Sequence, residues 1–466
     1  MTSNNSRREF IKRASALSAT GAAAPWALNL AAMGEAAAQS GPKDYKALVC
    51  IFLYGGNDHG NTLVPYDETT YKTYASMRGV LATEKSRLKD TLLTGATGLT
   101  PERQYALAPE LLPLMPMYNE GRMGVLLNIG PLIQPTSKTQ YENRSVPLPP
   151  KLFSHNDQQS VWQASNPEGA SSGWGGRMGD LFAAGNSQAT FTAISVAGNA
   201  IYLSGKTQPQ YQLSSNGPVS INGIGIGIGN TLYGSSAAAQ AMRKFITSSP
   251  SSNNFEREYA KIIQRSIDAN VSYTKAMGSA PVVETVFPPN GLAAQLKMVA
   301  RMIAARNEFD AKRQVFFVSL GGFDHHDDLI GRHSGLLTQV GSAMAAFDQA
   351  MVDLKMSDQV TAFTASDFGR TLASNGDGSD HGWGSYHFIT GGAIKPRTFF
   401  GTAPILGDKS PDDVGQGRML PSMAVDQLAA TLATWMGVSK TNISEIVVPN
   451  IASYTTQNLG LFRAGL

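Results

Sequence analysis

Six of the seven histidines fall in four short stretches rich in aspartate and glycine. "YGGNDHGNTLVP" holds Asp58 and His59, and "FSHNDQQSVW" holds Ser154, His155 and Asp157. "SLGGFDHHDD" holds Asp324, His325 and His326. "TASDFGRTLASNGDGSDHGWGSYHF" holds Asp367, Arg370, Asp380, His381 and His387; only His333 lies outside. Carboxylates brought together repel one another unless a cation neutralises them. Mixed aspartate and histidine ligation suits Zn²⁺, Mn²⁺ or Fe²⁺, whereas a purely oxygen-lined site suits harder cations. Arg370 has the forked geometry that clamps an oxyanion with two hydrogen bonds. Ser154 stands where a helix begins, at the positive end of its dipole, which favours a bound anion.

These stretches need strands that end just before them. Short apolar runs rich in β-branched and aromatic residues predict strands at 45–53, 121–130, 189–196, 313–320 and 359–366. Between them the pattern turns helical. Leu337, Val340, Met344, Phe347, Met351 and Leu354 lay one apolar stripe along a helix over 337–354. A second helix covers about 291–306, and a third, "VDQLAATLATWMG", stops at Gly437, a residue suited to a helix C-terminus. Near-continuous apolar strands alternating with helices predict a mostly parallel sheet covered on both faces. In such sheets ligands gather beyond the carboxyl ends of the strands, which draws Asp58, Asp324 and Asp367 to one edge. The segment from about 197 to 290 is instead rich in Ser, Asn, Gly and Gln. Its "INGIGIGIGN" lacks the G-x-G-x-x-G spacing of a dinucleotide loop and reads as a flexible strand or loop.

Together "GGNDHGN", "SLGGFDHH", "SDFGRT" and "SDHGWG", behind a twin-arginine signal, resemble a family of exported bacterial proteins catalogued as a domain of unknown function. That family is placed in the alkaline phosphatase-like superfamily of metallohydrolases, and the likeness runs from about Tyr45 to "DQLAATLATWMGV". It implies an α/β fold, a three-layer α/β/α sandwich with a mostly parallel central sheet in one domain, 39–466, into which the compositionally distinct stretch at about 197–290 reads as a cap-like insertion. It also implies one or two divalent metal ions, zinc, manganese or similar. The first would be held by Asp324, His326 and His381. The second would be held by Asp58, Asp367 and Ser154, with Ser154 as nucleophile. Two departures stand out. His325 occupies a place where the family usually has Thr, so either adjacent imidazole is a ligand candidate. Phe368 follows Asp367 where alkaline phosphatases place a ligating histidine, which leaves the second ion short of a ligand.

The implied reaction is metal-dependent hydrolysis of a phosphoryl or related ester, on a small-molecule or envelope-derived substrate. The alternative is a non-catalytic exported protein that binds a metal or an anion and assists envelope or surface assembly. Arg7 and Arg8, followed by an alanine-rich stretch and "AAAQS", predict a signal peptide over 1–38 read by the twin-arginine export machinery. The expected location is periplasmic or secreted. A formal net charge of +3 over 466 residues gives no electrostatic case for nucleic acid. No later apolar run reaches membrane-spanning length. The single cysteine, Cys50 in "ALVCIFL", excludes an intrachain disulfide and reads as buried strand filler. "GASSG" matches a nucleophile elbow in letters, but a polar segment containing Pro167 precedes it where a strand is required.

Overall fold

The structure is a computed structural model that describes residues 45–221, 223–224, 231–248 and 252–465. The twin-arginine segment and most of the alternating-glycine stretch lie outside these residues. The strands are β1 (Lys46–Leu53), β2 (Leu63–Pro65), β3 (Tyr105–Leu107), β4 (Met123–Gly130), β5 (Ala193–Ser195), β6 (Tyr211–Gln212) and β7 (Arg313–Leu320). They continue as β8 (Val360–Ser366), β9 (Arg370–Ser374), β10 (Ser379–His381), β11 (Ser385–Thr390), β12 (Phe399–Phe400) and β13 (Met423–Ala424). The main sheet runs β12-β4-β11-β8-β1-β7-β5-β6, with β13 also paired to β4. β1 is parallel to both β7 and β8, and β5 is parallel to β7 and β6. β11 runs antiparallel between β4 and β8.

Alternate residues of β1 divide between two hydrophobic cores, which is why a continuous apolar run is needed. Ala47, Val49, Ile51 and Leu53 join one core, built with the helices Gly291–Ala304 and Leu329–Asp353. Leu48, Cys50 and Phe52 join the other, built with the helices Trp174–Ala183 and Val425–Met436. Helices therefore cover both faces of the sheet, in three layers. Each such fully buried aliphatic side chain contributes about 1.5–3 kcal/mol of transfer free energy. Gly437 ends the last of these helices in the left-handed region, φ 93°. The predicted strands at 313–320 and 359–366 match β7 and β8 to within one residue. The helix expected from 337 begins eight residues earlier, at Leu329.

After β5 the described residues of the polar segment carry more regular structure than the composition suggests. Tyr211–Gln212 extends the sheet edge, and the helices Ser236–Thr247 and Asn254–Ser279 follow. No helix among the described residues is long and apolar enough to cross a membrane.

Candidate metal centre

Three neighbouring strands, β7, β1 and β8, end side by side. Their carboxyl ends lead into Asp324 to His326, into Gly55 and Gly56, and into Asp367. After β8 the chain makes the β9–β10 hairpin, which returns His381 to the same edge. The fourth contributor is the helix His155–Ala164, whose first residue is His155. Gly55 holds the turns together. Its φ of 112° is in the left-handed region, and a Cβ there would lie 2.5 Å from the Asp324 backbone nitrogen.

Three imidazoles meet at Asp324. His155 Nε2 is 3.3 Å from Asp324 Oδ2, and His381 Nε2 is 3.2 Å from Asp324 Oδ1. The two Nε2 atoms are 3.1 Å apart. Ligand atoms of His155, Asp324 and His381 all lie within 4.8 Å of one another. His326 adds a further Nε2, 3.1 Å from Asp324 Oδ1 and 3.0 Å from His381 Nε2.

The other nitrogen of each ring decides what these contacts mean. His155 Nδ1 donates to Asp367 Oδ2 at 2.6 Å. His381 Nδ1 donates to the carbonyl of Phe153 at 2.7 Å. His326 Nδ1 donates to Asp380 Oδ1 at 3.2 Å. An oxygen that only accepts fixes the proton on Nδ1, so in each neutral ring Nε2 is a bare lone pair. Lone pairs aimed at one another 3 Å apart repel, and protonating the rings would set imidazoliums side by side. A divalent cation removes both problems. Histidine ligands whose second nitrogen is tied to a carboxylate or carbonyl are the usual outer shell of a transition-metal site. The donor set therefore fits a zinc-like ion, and neutral imidazole nitrogen is its preferred partner.

Asp324 is held ionised, and the two rings are shifted in opposite directions. Burial alone would raise the Asp324 carboxyl, but the Arg370 hydrogen bond and charge outweigh it and hold it at about 2. The hydrogen bond to Asp367 raises His155, while burial lowers His381. Phe368 lies against both rings, its centroid 4.8 Å from His155 and 4.7 Å from His381. The residue after Asp367 thus supplies an apolar wall.

The structure brings Asp324, His326 and His381 together but separates the second expected set. Asp58 is fully buried in an ion pair with Arg78 and also accepts from the backbone nitrogen of Gly60. Asp367 is buried too, taken up by the backbone nitrogen of Gly55, by Gln159 Nε2 at 2.8 Å and by His155. Ser154 sits at the helix start without capping it; its hydroxyl donates to Asp157 Oδ2 at 3.0 Å. Arg370 is fully buried and turned inward, bonded to Asp324 Oδ1 at 2.6 Å, to Gly55 O at 3.2 Å and to Ser379.

Of the adjacent pair, His326 faces the cluster. His325 turns into the interior, its ring edge-on to His333 at 5.9 Å. The residue that sequence reasoning passed over is His155. Its signal was present, because a histidine opening a helix four residues before Gln159 places both on one helix face.

Among curated proteins none matches this chain. A family model described as "Protein of unknown function (DUF1501)" matches residues 45–446. The lipoteichoic acid synthase LtaP from Listeria monocytogenes superposes with a TM-score of 0.37 at 10% identity, over 91% of this chain and 78% of that chain. The PsFucS1 sulfatase from Pseudoalteromonas sp. gives 0.36 at 10% identity, over 93% and 76%. The C-terminal periplasmic domain of EcEptC from Escherichia coli gives 0.33 at 11% identity, over 88% and 87%. Likenesses this loose assign no activity.

Proposed function

We propose the function from the site itself, because this chain belongs to the DUF1501 family of proteins of unknown function. The reading is an exported, metal-dependent hydrolase of the alkaline phosphatase-like superfamily, acting on a phosphoryl or related ester. One observation carries it: imidazole Nε2 atoms of His155, His326 and His381 converge on Asp324 while every Nδ1 is held by an oxygen. His155, Asp324 and His381 would hold the ion, with His326 as a further donor. When bound, such an ion polarises an ester oxygen and favours formation of a nucleophile beside it.

The chain's own groups prepare that chemistry. Asp367, the Phe153 carbonyl and Asp380 orient the three rings, and Arg370 pins Asp324. Ser154 is the nucleophile of this proposal. Its hydroxyl donates to the largely buried Asp157, which can accept the proton as the serine oxygen bonds to phosphorus and the bond to the ester oxygen breaks. The alcohol leaves with a proton from solvent, and water then cleaves the phosphoserine to release phosphate and restore Ser154. Export is supported by Arg7, Arg8 and the alanine-rich stretch behind them.

The second reading is a non-catalytic metal- or anion-binding protein of the envelope. It is favoured by the engagement of Asp58 with Arg78 and by Phe368 after Asp367, which leave no second three-residue metal cluster among the described residues. A screen of phosphomonoesters, phosphodiesters and sulfate esters on zinc-loaded protein separates the two. Turnover lost in Ser154→Ala supports the hydrolase. A metal-loaded protein inert toward all three classes favours the binding role.

A further inference from the structure

The inward turn of Arg370 leaves the metal centre without the cation expected to meet an anionic substrate. Its Nε, Nη1 and Nη2 all have protein acceptors, and the side chain is fully buried. Such a guanidinium can position Asp324, but it has no free fork to offer.

A second arginine stands at the rim. Arg418 donates from Nε to the backbone carbonyl of His381 at 2.8 Å, and its guanidinium lies 5.1 Å over the ring of Phe153. Phe153 is the residue whose carbonyl holds His381 Nδ1, and it directly precedes Ser154 and His155. Arg418 thus touches two of the three segments that deliver imidazoles to the centre. Its remaining protein bond, Nη1 to Gly415 O, is 3.3 Å long. Among the described residues Nη2 has no acceptor, and no carboxylate lies within ion-pair range of Arg418. A half-buried guanidinium fixed on one side and open on the other suits a ligand that accepts two hydrogen bonds.

The loop that carries Arg418 is built to hold it. Gly417 has φ 73° and lies so close to β9 that a Cβ would meet the Leu372 Cβ at 2.6 Å and its backbone nitrogen at 2.9 Å. Leu372 N donates to Gly417 O, Ala373 N to Gln416 O, and the buried Asp413 accepts from the nitrogens of Gly415 and Gly417. The guanidinium is therefore presented from a braced turn.

We propose that Arg418 is the substrate-binding cation of this site, and that it takes the terminal tetrahedral oxyanion of a phosphate or sulfate monoester. The inference rests on the metal-centre reading, and names Arg418 for the oxyanion role first expected of Arg370. The ring of Phe153 shields one face of the guanidinium, so its free edge faces an anion with less competition from water.

The test is calorimetric titration of zinc-loaded full-length protein with inorganic phosphate and with sulfate at fixed ionic strength, with zinc content measured on the same samples. Arg418→Gln should keep its zinc and bind phosphate at least tenfold more weakly. Arg418→Lys, which keeps the charge and loses the fork, should fall between. Phosphate binding within twofold of wild type in zinc-loaded Arg418→Gln would overturn the proposal, as would a zinc-loaded wild type that binds neither anion. A wild type that takes up no zinc sinks the metal reading instead. The same titrations on that metal-free protein still decide Arg418, because removing the guanidinium must weaken phosphate binding there too.

Discussion

Asp367→Asn separates two roles for a buried carboxylate. As a direct ligand of a second ion, Asp367 would set metal stoichiometry. As the structure has it, Asp367 accepts His155 Nδ1 at 2.6 Å, Gln159 Nε2 at 2.8 Å and the nitrogen of Gly55, and acts on the metal only through His155. Asparagine keeps the shape, removes the charge and replaces one acceptor with a donor. The charge-assisted bond to His155 is worth about 1.5–3 kcal/mol. Loss of an orienting partner of this kind typically weakens metal affinity about 10–100-fold. Competition with a chromophoric chelator measures zinc affinity, and elemental analysis of the saturated protein gives stoichiometry. The expected result is one ion per chain in both proteins, held 10–100-fold more weakly in the variant. Circular dichroism confirms that the variant is folded. Unchanged affinity would refute the coupling through His155, and a fall from two ions to one would restore Asp367 as a ligand.

Other predictions address the remaining buried groups. Asp58→Ala leaves the Arg78 guanidinium buried without its carboxylate, which should cost about 3–5 kcal/mol in a urea melt and leave zinc stoichiometry unchanged; a metal-free but stable variant would contradict this. Burial holds His59 and His333 down at about 4 and His387 at about 3, against an ordinary 6.5. Below pH 6.5 the unfolded chain takes up protons that these folded rings refuse. Their contribution is therefore complete above 6.5 and declines toward the folded values, by about 1.4 kcal/mol per group for each pH unit. His387→Phe should accordingly flatten the loss of stability between pH 6 and 5 by about one proton's worth, or ~1.4 kcal/mol, and an unchanged slope would refute it.

Some of this was legible in the chain and some was not, for physical reasons. β1, β7 and β8 are buried on both faces, so they appear as unbroken apolar runs. β11 was not predicted as a strand, because "SYHFIT" opens with polar residues, although all six are buried. The helix Asn254–Ser279 was hidden because it buries few residues, and its exposed positions match the polar composition of a loop. The clustering of Asp324 with His326 and His381 followed from strand-end placement, and alternation along an extended chain explains why His325 faces away. Asp58 pairs with Arg78, twenty residues on, and no spacing rule reveals a buried ion pair across a turn. His155 was overlooked because its neighbour Ser154 matched a nucleophile, although a carboxylate waiting at the end of β8 gives the imidazole its role.

These imidazoles and Asp324 are proposed to hold a divalent ion. The most direct measurement is elemental analysis of protein exported through its own signal, beside an Asp324→Ala/His381→Ala double variant. The expected result is one divalent ion per wild-type chain and none in the folded double variant. A wild type that carries no metal and takes up none from micromolar zinc would contradict it.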